Sequence, residues 1–324
     1  MGYPRACIVD SSTAGFYHCI SRCVRRAFLC GDQYNHRRQW IEDRLAELLA
    51  VFTIESCGHT IMSNHLHLVL KTDPQAARTL SDLEVARRWI QLFPAPLHRL
   101  KQAAGSRAEA RRVETEYIQT ILADRRKIVR WRARLASISW FHKLLKEPIA
   151  RRANREDDCT GHFWEGRFKS IRLLDRAAVL ACMVYVDLNP MRAGMAKTLN
   201  ECSLTSILRR MKMLRRPAPR GRRKPRRARQ ARIRLALIPI NALFSFSTSE
   251  YVSLVGATGG VPTDQRDHRG TLTEMGINAE IWADTIGQTI EWIGTTVGHT
   301  RDLLKEARRR KVTRVVSALK IYLE

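Results

Sequence analysis

Residues 57–71 read Cys57-Gly58-His59-Thr60-Ile61-Met62-Ser63-Asn64-His65-Leu66-His67-Leu68-Val69-Leu70-Lys71. Two short runs of near-alternating polar and apolar residues flank Ser63-Asn64, a pair that favours a turn, so the stretch predicts a β-hairpin. On a strand, side chains two apart share a face. His65 and His67 therefore point one way while Leu66 points the other, into a core. Two imidazoles on one face of a strand are either an ordinary surface pair or half of a metal site, and a third ligand decides between them.

Outward from the hairpin, the run Gly15 to Cys23 (GFYHCISRC) also alternates, as a half-buried strand does. Between the two, Asn35 is placed to cap a helix in which Trp40, Ile41, Leu45, Leu48, Leu49 and Phe52 form one apolar stripe. Residues 72 to 150 are dominated by Ala, Arg, Leu, Glu and Gln and punctuated by Pro94, Pro96 and Pro148, which predicts a helical insertion without strands. GHFWEGRFKSIRLL, residues 161–174, returns to strand-like alternation. Asp175 then caps a helix through RAAVLACMVYVDL that Pro190 is expected to end. This order predicts an α+β protein: a ferredoxin-like antiparallel sheet with helices on one face, a helical insertion and a mainly helical C-terminal region. The expected division is a domain over 1–208, a linker over 209–234 and a C-terminal region over 235–324 of unassigned role. Within the last, helices are expected around Ala279 to Ile293 and Arg301 to Tyr322.

Charge narrows the function. The chain has 324 residues with 57 Lys plus Arg against 31 Asp plus Glu, a formal charge of +26. That excess excludes an ordinary metabolic enzyme acting on neutral substrates and points to a polyanionic partner. It is concentrated between Arg209 and Arg234, where fourteen Lys or Arg residues stand without one acid and Pro217, Pro219 and Pro225 break any long helix. A solvated tether is the plain reading. At this density a phosphate-neutralising arm is favoured, with Arg222, Arg223, Lys224, Arg226 and Arg227 at its centre. No run approaches the roughly 18 apolar residues of a membrane span, and MGYPRACIVDSSTAG lacks the apolar block of a signal peptide, so the protein is expected to stay inside the cell, away from the membrane. Eight scattered cysteines fit a reducing compartment.

A partner for the histidine pair is sought on the helix ending at Pro190. Residues four apart on a helix lie one above the other, so Tyr185 and Asn189 share a face. Taken alone, Tyr185 reads as a core residue, surrounded by Val179, Leu180, Met183, Val184 and Val186, and Asn189 as a cap before proline. Arg167 and Lys169 alternate with Phe168 and would hold phosphate on one face of a strand, or simply be solvated. Trp164 would stack a base or line the rim of the core. His18, His59 and His162 read as structural or surface histidines.

CGHTIMSNHLHLVLK, followed by FWEGRFKSIRLLD and then YVDLNPMRAGMA, resembles the HUH-superfamily single-tyrosine transposases, and within them the insertion-sequence-200-like and REP-associated tyrosine transposases. The resemblance covers roughly residues 15 to 200 and rests on three separated motifs in the family's order. His65-Leu66-His67 matches the His-hydrophobe-His motif, and Tyr185 stands at the tyrosine of the Tyr-x-x-x-Asn-Pro segment. Asn189 falls where relatives place a third polar metal ligand. Ser63 replaces a proline common in relatives, and the helical insertion is longer than in compact members.

The resemblance implies a mobile-element transposase that cuts and rejoins single-stranded or hairpin DNA in the bacterial cytoplasm, at the nucleoid. It further implies Tyr185 as nucleophile, a 5′-phosphotyrosine intermediate, and Mg²⁺ or Mn²⁺ held by His65, His67 and Asn189. Whether such an enzyme works as a monomer or a homodimer is left open. Two other readings stand beside it: a domesticated nucleic-acid-binding regulator without cleavage, and a metal-dependent nuclease in which water attacks.

Overall fold

The hairpin forms where its sequence places it. In the computed structural model, which describes residues 5–215, 235–261, 268–287, 296–312, 315 and 321–322, β1 (Gly15–Arg22) precedes helix α1 (His36–Val51), then β2 (Ile54–Ile61) and β3 (His65–Thr72). The Met62 N–H donates to the His65 carbonyl across the turn. Six helical segments follow, among them α2 (Asp82–Leu92), α3 (Arg107–Ala123), α4 (Arg125–Leu135) and α5 (Ile138–Glu156). Next come β4 (Lys169–Leu173), α6 (Arg176–Arg192) and α7 (Ser206–Leu214). The C-terminal region contributes α8 (Thr248–Thr258), α9 (Ala279–Gly287), β5 (Thr296–Val297) and α10 (Thr300–Arg310).

The strands order as β2-β3-β1-β4-β5. The first four pair antiparallel, in the arrangement of a ferredoxin-like sheet, with α1 and α5 occupying the two crossovers. The α+β class is as the sequence indicates. Two features of it differ. β5 joins β4 in parallel, through Arg172↔Thr296 and Leu173↔Val297, so the sheet is mixed. Helices also cover both faces rather than one, because α6 is as apolar as a core segment and needs its own sheet face to bury against.

Each face has its own core. On one, Tyr17, Cys19, Leu66, Leu68 and Leu70 meet Ile41, Leu45 and Leu48 of α1 and Phe141 and Leu145 of α5. The insertion helices are started by side-chain caps: Ser81, Ser106, Asp124 and Ser137 each accept from a backbone N–H of the first turn. They pack through a Trp89–Trp131 stack with centroids 5.0 Å apart. Arg37, buried on α1, donates to Glu156 at 2.7 Å and also to Asp157, tying the ends of α1 and α5 together.

On the other face, every residue of α6 from Ala177 to Pro190 is buried. A helix apolar all round must be covered all round. The sheet covers one side, through Val69 and Ile171. The C-terminal region covers the other, through Tyr251, Leu254, Trp282 and Ile286. Asp187 anchors that outer side, accepting from Tyr251 Oη at 2.7 Å, Ser206 Oγ at 2.5 Å and the Ile207 N–H at 2.9 Å. At the start of α6, Asp175 caps Ala178 as expected and also accepts from the His299 N–H at 2.7 Å.

Pro190 does not end α6, which runs on to Arg192. A proline inside a helix removes the N–H that would bond the carbonyl four residues earlier, here Val186. Thr60 of β2 supplies the replacement, its hydroxyl donating to the Val186 carbonyl at 2.5 Å. Gly194, at φ +68°, then turns the chain away. Two further expectations shift. The alternation over 161–174 yields a strand only from Lys169, with Trp164 limited to a single bridge to Cys23. The helix expected to reach Tyr322 stops at Arg310, where Lys311 is left-handed, and Tyr322 instead bridges to Ile277. The helix expected over Ala279 to Ile293 is described to Gly287, its remainder lying outside the described residues. Among the described residues no helix is long and apolar enough to cross a membrane.

Candidate active site

β1 and β3 place Ile20 opposite His67 and Arg22 opposite His65, so His18, Ile20 and Arg22 share the face that carries both histidines. β2 sets Thr60 opposite His67. The bond from Thr60 to Val186 therefore pins the C-terminal half of α6 over the histidine pair, and Tyr185 and Asn189 descend on it.

The groups meet. The His65 and His67 rings are edge to face with centroids 4.8 Å apart, and His67 lies 5.8 Å from the Tyr185 ring. His65 Nε2 is 3.4 Å from Asn189 Oδ1. Asn189 also hydrogen-bonds the Tyr185 side chain. His67 and Asn189 are nearly inaccessible, and Tyr185 is 9% exposed. The rim is formed by the part-exposed Arg22, Asn64, His65 and Arg192.

Two neighbours fix the imidazoles. Asn64 donates its amide nitrogen to the Arg26 carbonyl at 3.0 Å, which turns its Oδ1 toward His65 Nδ1, 2.5 Å away. An amide oxygen only accepts, so His65 carries its proton on Nδ1 and its bare Nε2 faces Asn189 Oδ1, a second lone-pair atom. On the sheet, His18 Nε2 lies 2.8 Å from His67 Nδ1, the rings stacked at 5.0 Å. With His67 donating from Nδ1 to His18, the His67 Nε2 is bare as well. A partner on the far ring nitrogen is how proteins orient metal-binding histidines.

Burial keeps these rings neutral. It lowers His65 to about 4 and His18 to about 3, and holds His67 well below the ordinary imidazole value, each helped by neighbouring positive or imidazole groups. Burial raises the Tyr185 phenol, while the Asn189 hydrogen bond, Arg192 and Arg22 pull the other way. The tyrosine is thus protonated at neutral pH but surrounded by groups that favour its anion. The donors facing inward, two bare imidazole nitrogens and an amide oxygen, suit a borderline-hard divalent ion. Among the described residues no group of three or more His, Cys, Asp or Glu could hold a metal ion.

Of the remaining sequence candidates, Lys169 shares the histidine face of the sheet two strands from His67, while the others lie away from the cluster or outside the described residues. Lys169 opens β4 opposite Ile20, and with Arg167 it lies exposed on either side of buried Phe168, which stacks on His142 at 3.9 Å. Trp164 is buried and donates its indole N–H to the Lys146 carbonyl at 3.0 Å, so its ring belongs to the core under α5. His59 is buried 3.7 Å from Glu42, and His162 is exposed. Arg222, Arg223, Lys224, Arg226 and Arg227 lie outside the described residues.

Comparison with protein-family models finds no match, and neither does a search of the curated proteins. Among solved structures, the chain is similar to a REP-associated tyrosine transposase bound to a REP hairpin. The TM-score is 0.37 and the identity 12%, over 67% of this chain and 89% of that one.

Sequence reasoning passed over three residues of this cluster. His18 was legible only with the strand register, which sets it diagonally across from His67. Asn64 reads as a turn residue, and its second role depends on the Arg26 carbonyl behind it. Arg192 lies seven residues after Tyr185, on the same helical stripe as Asn189, a spacing that would have exposed it.

Proposed function

We propose that the chain is a DNA transposase of the HUH single-tyrosine type, cleaving and rejoining single-stranded DNA through Tyr185. The observation that carries the reading is the meeting of Tyr185 and Asn189 with two neutral, oriented histidines on the opposite sheet face. A divalent ion such as Mg²⁺ or Mn²⁺, bound by His65, His67 and Asn189, would supply polarisation of the phosphodiester and stabilisation of its developing charge.

The chain's own residues do the rest. Asn189 orients the phenol oxygen by its hydrogen bond, and Arg22 and Arg192 favour loss of the phenolic proton to solvent. Oη then forms a bond to phosphorus while the P–O3′ bond breaks. The upstream fragment leaves with a 3′-hydroxyl after its oxygen takes up a proton, and the downstream fragment stays on Tyr185 through its 5′ phosphate as a phosphodiester. That ester conserves the energy of the broken bond, so attack by another 3′-hydroxyl reverses the step and joins a new strand without a nucleotide cofactor. The exposed Arg167 and Lys169, with Arg222, Arg223, Lys224, Arg226 and Arg227 at the centre of the basic segment, serve to hold the backbone.

The test uses the full chain with labelled single-stranded DNA carrying its own element's ends. Wild type with Mg²⁺ or Mn²⁺ should give an adduct that survives denaturation, and Tyr185→Phe should give none. EDTA should abolish the adduct while leaving most binding. Cleavage that persists in Tyr185→Phe would assign attack to water, and salt-sensitive binding with no cleavage at all would leave a regulator.

A further inference from the structure

Tyr185, Asn189 and Arg192 stand at positions i, i+4 and i+7 of α6, one stripe of the helix. Arg192 occupies the last turn, held there by the Gly194 stop, and its guanidinium carbon lies 4.9 Å over the Tyr185 ring. Both of its terminal nitrogens, Nη1 and Nη2, are buried, and neither has a hydrogen-bond partner among the described residues. No carboxylate among the described residues pairs with it. Among the other buried arginines, Arg37 has two carboxylates and a carbonyl, Arg38 has carbonyls and an amide oxygen, and Arg210 keeps Nη2 on the Cys57 and Ile238 carbonyls with Nη1 alone left over, so only Arg192 leaves both terminal nitrogens without a partner among the described residues. A guanidinium buried without an acceptor is costly, and in a folded protein it points to a ligand the site is built to receive. The planar pair of donors suits two oxygens of one tetrahedral anion.

We propose that Arg192 is the phosphate clamp of the site, its Nη1 and Nη2 taking non-bridging oxygens of the phosphodiester presented to Tyr185. The proposal rests on the transposase reading for the identity of the ester, and on the unpartnered guanidinium beside a tyrosine for the anion itself. Arg22, on the same sheet face as His65, adds a second positive charge at the rim. The clamp places phosphorus against the phenol oxygen rather than merely nearby, and it offsets the charge that develops on the phosphoryl oxygens.

Thermal melting of the full chain separates the anion site from the chemistry. The probe is inorganic phosphate, compared with sodium chloride at matched ionic strength, so that the basic segment contributes alike to each protein. Phosphate should raise the melting temperature of wild type, as any ligand of the native state does. In Arg192→Gln this increment should be lost, and the variant should melt no lower than wild type in chloride, since an unpaired buried charge is gone. Arg192→Lys, which keeps the charge and loses the fork, should keep part of the increment. An increment retained in full by Arg192→Gln overturns the clamp.

In the adduct assay, Arg192→Gln should slow formation by about 10²-fold or more, and added guanidinium ion should restore part of the rate. Restoration is a response that a structural role would not give. If wild type forms no adduct while Arg192→Gln still loses the phosphate increment, the transposase reading fails and the anion site stands.

Discussion

The two faces of the sheet are built from the same strands and do opposite things. On β3, Leu66, Leu68 and Leu70 enter an aliphatic core beneath α1, while His65 and His67, one residue out of phase, meet a polar cluster beneath α6. β1 repeats the division, with Tyr17 and Cys19 on the first side and His18 and Arg22 on the second. The alternation of a strand thus lets one segment hold the fold together and present a polar cluster without either set of side chains sharing space with the other. It also means that a slip of one residue in register would exchange them.

The sharpest way to break the contrast is to change neighbours on opposite faces. Leu68→Ala empties a fully buried site and should cost about 2–5 kcal/mol, with adduct formation retained in the folded fraction. His67→Ala should abolish the adduct at any temperature while leaving a cooperative unfolding transition. Chemical denaturation beside the adduct gel reads both, and equal losses of stability and activity in the two variants would dissolve the division.

The next effect lies at the link between the face and its helix. Thr60→Val leaves the Val186 carbonyl buried without the donor that Pro190 cannot provide, and should cost about 1–3 kcal/mol. Adduct formation should fall further than stability does, because Tyr185 and Asn189 lose their register over the histidines. The result is read by comparing the adduct rate at full folding with the denaturation midpoint.

Smaller again is the outer side of α6. Tyr251→Phe removes the phenol bond to Asp187, whose carboxyl burial pushes up and Arg210, Ser206 and Tyr251 hold down. It should cost about 1–3 kcal/mol and leave the adduct rate of folded protein unchanged, showing that the C-terminal region supports the helix from behind.

The smallest concerns acid. Burial acts to raise Glu42, but His59 and Arg209 outweigh it and lower its pKa from 4.5 to about 2. Its stabilising contribution is complete above 4.5 and disappears as the pH falls toward about 2. Glu42→Gln should therefore flatten the acid side of the stability profile over that window and leave the neutral side parallel to wild type.

Most of this division was legible in the sequence. The alternation in HLHLVLK fixes which residues share a face, and Asn189 four residues after Tyr185 fixes their common stripe, before any coordinates. What was not legible depends on contacts between distant segments. That Pro190 sits inside α6 follows from a threonine on another element replacing its missing N–H. That helices cover both sheet faces follows from the all-round burial of α6, which its apolar run from Ala177 hints at but cannot assign to a partner. The second role of Asn64, the pairing of His18 with His67 and the withdrawal of Trp164 into the core each turn on a backbone carbonyl or a ring brought near by folding. Local periodicity carries no record of those encounters.

The convergence itself is tested most directly with Mn²⁺ bound to the full chain and observed by pulsed electron paramagnetic resonance. The account requires one strongly held ion whose spectrum shows coupling to the nitrogens of two imidazoles, reduced to one in His65→Ala and likewise in His67→Ala. An ion that shows no imidazole nitrogen, or whose spectrum is unchanged by either substitution, would place the cation elsewhere and leave the histidine face without its chemistry.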